Sequence, residues 1–319
     1  MFLFATTPRA LSVPPFDSSG PGKNRKEELM KKTQTTHSEP KLRILRSADP
    51  KTVFGQMCPA EILKKHGLPK FLLGSSLKTK KSLGIGVLAR VLFLTPGVFC
   101  SHATQGCLEA CLGHSSGRMQ MPTHALARDR RTALYVEKRQ LFLQMLAVEL
   151  SQVEEEARRL GLVPAVRLNG SSDLPWERLH PELFSEHPDI HFFDYTKVPA
   201  RMERFLNDPT WPKNYHLTFS AQPNNHKAAR NFLDQGGTVA VVFWPEVPQT
   251  HWGKPVIDGD KHDARFLDQA GTIVGLTAKG KAKHDQSGFV VRTATEKVPG
   301  KSRKNRRMKN SEATIAIAA

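Results

Sequence analysis

Cys100, Cys107 and Cys111 fall within twelve residues, in the stretch Cys-Ser-His-Ala-Thr-Gln-Gly-Cys-Leu-Glu-Ala-Cys. Three thiols this close together form a pattern suited to binding metal. Zinc takes four Cys or His ligands, with paired cysteines two to four residues apart. Cys107 and Cys111 meet that spacing, Cys100 offers a third ligand, and His102 or His114 a fourth. A 4Fe-4S cluster held by three thiolates instead leaves one iron open, where S-adenosylmethionine chelates. Three unligated thiols are the plain alternative. Cys58 stands apart, as a fourth ligand or, the favoured reading, a small buried apolar residue.

The cysteines follow an apolar run, 87–94, that reads as a β-strand. Polar residues gather after the later strand-like runs too, where α/β barrels carry their chemistry. One run ends in Asn169-Gly170-Ser171-Ser172-Asp173, the next in Asp194-Tyr195-Thr196-Lys197, and a third in Ser220 with Gln222 and Asn224 behind it. Asp258-Gly259-Asp260 with Asp263 comes further on, and Lys279, Lys283 and Asp285 close the series. Each cluster alone also fits a helix cap or turn; their recurrence favours a shared site. On this reading Asn169, Ser172, Asp173 and Ser220 line a cofactor pocket, and Asp194, Lys197, Asp258, Asp260 and Lys279 are the catalytic candidates. Asp258, Asp260 and Asp263 also have a spacing that suits Mg²⁺ or Ca²⁺ in a hydrolase. Arg167 and His216 lie inside strands and face either a lumen or solvent. A guanidinium facing a pocket suits a carboxylate or phosphate, and a salt-bridged structural Arg is the plain reading.

The elements that must position these residues alternate. A short helix over 58–66 has Pro59 at its first position. A long helical pattern opens at Pro122 and runs to Leu160, with Ala133, Leu134, Leu141, Met145, Val148 and Ala157 as its apolar positions and Gly161 as its C-cap. Strands are expected at 165–169, 191–195, 215–219, 238–243 and 272–276, with helices at 175–184, 200–206, 224–233 and 262–267 between them. Six strand–helix units predict parallel strands joined by right-handed crossovers, as a partial or complete α/β barrel. No Gly-x-Gly-x-x-Gly follows the first strand, so a dinucleotide-binding Rossmann domain lacks support.

The chain has 319 residues and a net charge of +17, unevenly spread. Residues 1–81 hold 16 Lys/Arg against 6 Asp/Glu and residues 296–319 hold 7 against 2, whereas 82–295 is nearly balanced at 24 against 22. Residues 1–50 read as a disordered basic extension, 51–293 as one barrel-like domain and 294–319 as a disordered basic tail. Basic ends add sequence-independent affinity for nucleic acid. A zinc-stabilised, non-catalytic nucleic-acid-binding protein is therefore the alternative to an enzyme. Clustered rather than evenly spaced cysteines predict a reducing, cytoplasmic setting. The apolar start Met-Phe-Leu-Phe-Ala lacks a basic beginning and makes a poor signal peptide. No apolar run approaches the ~20 residues of a membrane span.

Two resemblances carry these readings further. The cysteine loop after the first strand, ahead of a train of strand–helix units, resembles the radical S-adenosylmethionine superfamily. Its spacing is Cys-x6-Cys-x3-Cys, where that family has Cys-x3-Cys-x2-Cys. A closer resemblance is to the phage and prophage family called gene product 88. It rests on the Cys loop followed by Gly117-Arg118, Pro122, Ala127-Arg128 and Arg130-Arg131-Thr132, and on Arg167 through Glu177. Asp194-Tyr195-Thr196-Lys197, Tyr215 through Ser220, Val256 through Asp260 with Asp263 and Arg265, and Ile273 through Gly280 extend it over roughly residues 85–292. It implies a phage or mobile-element origin, a single domain and a shared site, and no particular reaction.

Overall fold

Short apolar runs build the centre of this fold, and amphipathic helices cover one face of it. The computed structural model describes residues 58–115 and 117–293, which belong to one unit. The chain runs through α1 (Pro59–His66), β1 (Leu73–Gly74), α2 (Leu77–Ser82), β2 (Val87–Leu92), α3 (Gln105–Ala110), α4 (Leu112–Ser115), α5 (Pro122–Glu137) and α6 (Arg139–Leu160). It continues through β3 (Val163–Arg167), α7 (Trp176–Leu179), α8 (Glu182–Glu186), β4 (His191–Thr196), α9 (Pro199–Asn207), β5 (Tyr215–Ser220) and α10 (His226–Asp234). The last strands are β6 (Thr238–Trp244), β7 (Thr250–His251), β8 (Lys254–Asp258), β9 (Ile273–Thr277) and β10 (Val290–Arg292).

The strands make one ten-stranded sheet in the order β1-β2-β3-β4-β5-β6-β9-β8-β7, with β10 also on β6. Strands β2 to β6 pair in parallel in chain order, and β9 and β8 extend the parallel run. Strand β10 takes the flank of β6 beyond the point where β5 ends, aligning Val290 with Val242. The two end strands, β1 and β7, are antiparallel to their neighbours and two residues long. Edges this short offer little backbone for further pairing. The sheet stays open, so the expected α/β class holds, and of the expected partial or complete barrel the complete form is not seen.

Because strand order advances in one direction, crossovers of one hand place their helices on one face. Helix α6 lies on β2 and β3, α9 on β4 and β5, and α10 on β5 and β6. The buried residues of α6 are Phe142, Leu146, Leu150, Val153 and Ala157, steps of three and four that trace one helical stripe. Val148, expected in that stripe, is 59% exposed. The opposite face is crossed by the β8–β9 connection, residues 259–272, whose 3₁₀ turn Arg265–Leu267 rests on β4 and β5. Phe266 stacks on His191 there, with ring centroids 4.6 Å apart.

The helical pattern from Pro122 to Leu160 is two helices, interrupted at Lys138 with φ −138° and ψ 57°. The 175–184 helix splits into α7 and α8 at His180-Pro181, since proline lacks an amide hydrogen and pushes the preceding residue out of helical geometry. Gly161 ends α6 at φ 64°, the left-handed cap that glycine favours. Cys58 is exposed rather than buried, and precedes α1 with its amide donating to Glu61 Oε2 at 2.9 Å. No described helix is long and apolar enough to cross a membrane. The expected basic ends, 1–50 and 294–319, lie outside the described residues.

Candidate functional site

After β2 the chain is anchored at Thr95, whose amide donates to Thr132 Oγ1 (2.7 Å) and whose hydroxyl donates to Asp129 (2.7 Å). It then lays residues 100–115 across the C-terminal ends of the sheet. The Cys100 thiol points to the Ser171 carbonyl after β3, 3.9 Å away. Gln222, after β5, donates to His102 O (2.7 Å) and accepts from the Thr104 amide (3.3 Å). Thr104 caps α3 by accepting from the Cys107 amide at 3.3 Å. Ala110 packs with Ala278, Ala282 and Val290, against Val242, Trp244 and Phe289. Three successive regions of the sheet thus hold one cysteine-bearing loop over its mouth.

All three cysteines of that loop are free thiols. Burial pushes the Cys100 thiol up to about 12 and the Cys111 thiol up to about 11. Each is also raised by its neighbours, Cys100 by Cys111 and Cys111 by Cys107, so the three sulfurs share one electrostatic neighbourhood. The amides of Gly97 and Gly113 donate toward Cys100 and Cys111 and favour their thiolates, and Lys197 and Arg128 do the same for Cys111. Among the described residues no three His, Cys, Asp or Glu side chains converge as a finished metal site. The donor set still fits a soft, thiolate-binding metal: three thiols with weak competing partners, amides aimed at sulfur, and cations beside them.

Two further sequence candidates meet this mouth. Ser220 lies on the face of β5 opposite Phe219, which packs on Phe232 of α10. Lys197 Nζ donates to Ser220 Oγ at 2.6 Å and lies 5.5 Å from the Phe289 ring centre.

Others serve the framework. Asp194 is fully buried on the helix-covered face, where it accepts from the Asn169 amide (2.6 Å), Asn169 Nδ2 (3.1 Å) and Tyr215 OH (2.8 Å). Burial pushes its carboxyl up to about 7 against those hydrogen bonds. Asn169 also fastens its own loop, accepting from Ser172 Oγ, the Leu174 amide and Trp176 Nε1. Asp173 accepts from the Lys197 amide (2.8 Å) and from Arg201 (2.6 Å). Arg201 binds Glu177 and Tyr215 OH as well. Asn169, Ser172, Asp173 and Asp194 therefore set the height of the loop that touches Cys100.

Asp258, Asp260 and Lys279 stand at the ends of β8 and β9. Lys279 Nζ donates to Asp260 at 2.7 Å, and Lys78 Nζ lies 3.3 Å from the same oxygen. Burial alone would raise the Asp260 carboxyl, yet the Lys279 hydrogen bond and the Lys78 charge hold it well below the usual carboxylate range. Asp258 is exposed and accepts the Asp260 amide in a turn. Asp263 instead turns inward to Arg167, 3.5 Å away. The three aspartates thus face separate partners, and the arrangement for a hydrolytic metal is not assembled.

Arg167 itself lies under the 259–272 connection, 4.6 Å over the Tyr195 ring. Arg167 Nε, Tyr195 OH, His216 Nε2, Asp263 Oδ1 and Arg265 Nε are buried without hydrogen-bond partners among the described residues. Sequence reasoning left Arg128, Arg201 and Phe289 without roles. Arg128 stood in a recognisable motif, whereas nothing local marks Arg201 or Phe289.

The sequence model of one protein family, gene product 88, matches residues 68–293, well over half of the chain. No curated protein and no solved structure matches it.

Proposed function

The chain belongs to the gene product 88 family, and we propose that it is an iron–sulfur enzyme of the radical S-adenosylmethionine type, with Cys100, Cys107 and Cys111 as the cluster ligands. The observation that carries this reading is the placement of the three-thiol loop. It follows the first of the parallel strands and lies over the C-terminal mouth of an open sheet whose strands advance in chain order. A 4Fe-4S cluster with S-adenosylmethionine, when bound, supplies one-electron chemistry at the sulfonium.

The chain's own residues prepare that site. Gly97 and Gly113 amides and the Lys197 and Arg128 cations favour thiolate at sulfurs that burial would otherwise keep protonated. Lys197, fixed by Ser220, presents its charge to the mouth. The segment from His102 to Ala110 is tied down over the strand ends by Gln222 and the Ala278–Val290 cluster. Asn169, Asp173 and Asp194 hold the β3 loop that contacts Cys100. Metal binding must draw the three thiolates together, a local change within a segment of short helices.

The test is reductive cleavage of S-adenosylmethionine by anaerobically reconstituted protein. Wild type should release methionine, and Cys100→Ala, Cys107→Ala and Cys111→Ala should each abolish release. Unchanged iron content and cleavage in the triple variant would sink the proposal. Colourless protein holding about one zinc per chain would instead support the structural, nucleic-acid-binding role.

A further inference from the structure

Beside the cysteine loop, a groove along α5 holds two arginines that, among the described residues, hydrogen-bond to no carboxylate. Phe93, Met119, His124, Arg128 and Arg131 are among its walls. Arg128 is only 3% exposed. Its Nη2 donates to Met119 O at 3.1 Å, its Nη1 reaches only the Met119 thioether at 3.9 Å, and its Nε has no partner. Among the described residues no carboxylate accepts a hydrogen bond from it; its neighbour Asp129 acts on it only through charge and accepts from the Thr95 hydroxyl. Arg131 donates to Phe71 O, and Arg130 to Gly67 O and Leu68 O. The carboxylate whose charge acts on Arg131 is that of Glu149, which also accepts the amides of Leu72 and Leu73. A buried guanidinium bound only to a carbonyl and a thioether is an anion site in waiting.

The surroundings share that charge. Residues 59–72 and 117–139 carry nine Lys/Arg against three Asp/Glu, whereas the remainder of 82–295 carries 18 against 20. Helices α1 and α5 pack together, and Arg130 of α5 reaches the carbonyls of Gly67 and Leu68 just past α1. Phe71, whose carbonyl receives Arg131, is 56% exposed, with Lys70 Nζ 5.3 Å from its ring centre. Forked guanidinium donors suit phosphate oxygens, and exposed aromatic faces suit nucleobases.

We propose that this groove binds the phosphoryl group of a nucleotide, free or within a strand, with Arg128 and Arg131 as its donors. Arg128 acts electrostatically on Cys111, so a phosphate held there sits next to the cysteine loop. A role for that nucleotide as substrate rests on the enzymatic reading above; the binding itself requires no cluster.

Full-length protein is titrated with a nucleoside monophosphate, the matching nucleoside, inorganic phosphate and a single-stranded oligonucleotide. The monophosphate or the oligonucleotide should bind, inorganic phosphate should compete, and the nucleoside should not bind. Arg128→Met should weaken binding at least about tenfold, as expected when a charged donor is lost. Arg131→Met, at a less buried position, should weaken it in the same direction and guards against a folding defect in the first variant. The preferred ligand tells a free nucleotide from a strand. Absence of phosphate binding at low salt, or equal affinity in wild type and both variants, would overturn the inference. Retention of binding by the chain with Cys100, Cys107 and Cys111 all changed to Ser would support it even if the iron reading failed.

Discussion

Arg201 shows how a single residue decides what its neighbours mean. It joins Asp173, Glu177 and Tyr215 in one buried set, and Tyr215 in turn donates to Asp194. Arg201→Met leaves Asp173 and Glu177 buried without their counter-ion, so unfolding by urea should show a loss of about 3–5 kcal/mol. His216 makes a prediction about pH. Burial, with the Arg265 charge beside it, lowers its pKa from 6.5 to about 4. Between those values the unfolded chain takes up a proton that the folded one refuses, so His216 costs stability as pH falls from 6.5 to about 4. His216→Gln should flatten the acid side of the stability–pH curve over that window; an unchanged slope would contradict the burial argument. At this scale the sequence revealed polar residues at strand ends but not their partners. Asn169, Asp173 and Asp194 read as pocket residues because Arg201 and Tyr215, which bind two of them, are brought near only by α9 and β5.

Elements place the cysteines, and the smallest of them is the most sensitive. In α4, a methyl group on Gly113 would come within 2.7 Å of Pro96, 2.8 Å of Ser171 and 3.4 Å of the Cys111 sulfur. Gly113→Ala should cost about 1–3 kcal/mol by overpacking and, as measured after reconstitution, lose most of the bound iron. A control on β9 is Gly275→Ala, whose methyl would meet Val247 and, at 2.6 Å, Val256. It should lower the melting temperature by a comparable destabilisation while leaving iron per folded chain unchanged. Strongly periodic elements such as α6 and apolar strands such as β6 were legible from residue pattern. The break at Lys138 was not, because no residue there is a helix breaker. Strand β8 was missed because Lys254-Pro-Val-Ile-Asp carries a proline, tolerated here next to the edge. Strand β10 escaped notice because its three residues gain meaning only by lying against β6.

Across the whole molecule, alternation of strand-like and helix-like runs was enough to give the α/β class and the parallel order. Closure was not legible, because it depends on whether the two outermost strands meet. Those strands have two residues each and no pattern of their own. The open sheet gives the cysteine loop a mouth to cover, and Arg128 and Arg131 line one groove along α5. The family match, residues 68–293, takes in the loop, the Lys197–Ser220 pair and the arginine groove together. The central claim is that Cys100, Cys107 and Cys111 hold an iron–sulfur cluster. Its most direct test is iron, sulfide and zinc analysis of the full-length protein purified without oxygen. About four iron and four sulfide per chain, lost in the triple Cys→Ala variant, is the predicted result. Protein with zinc in place of iron, or with iron that survives loss of all three thiols, would contradict it.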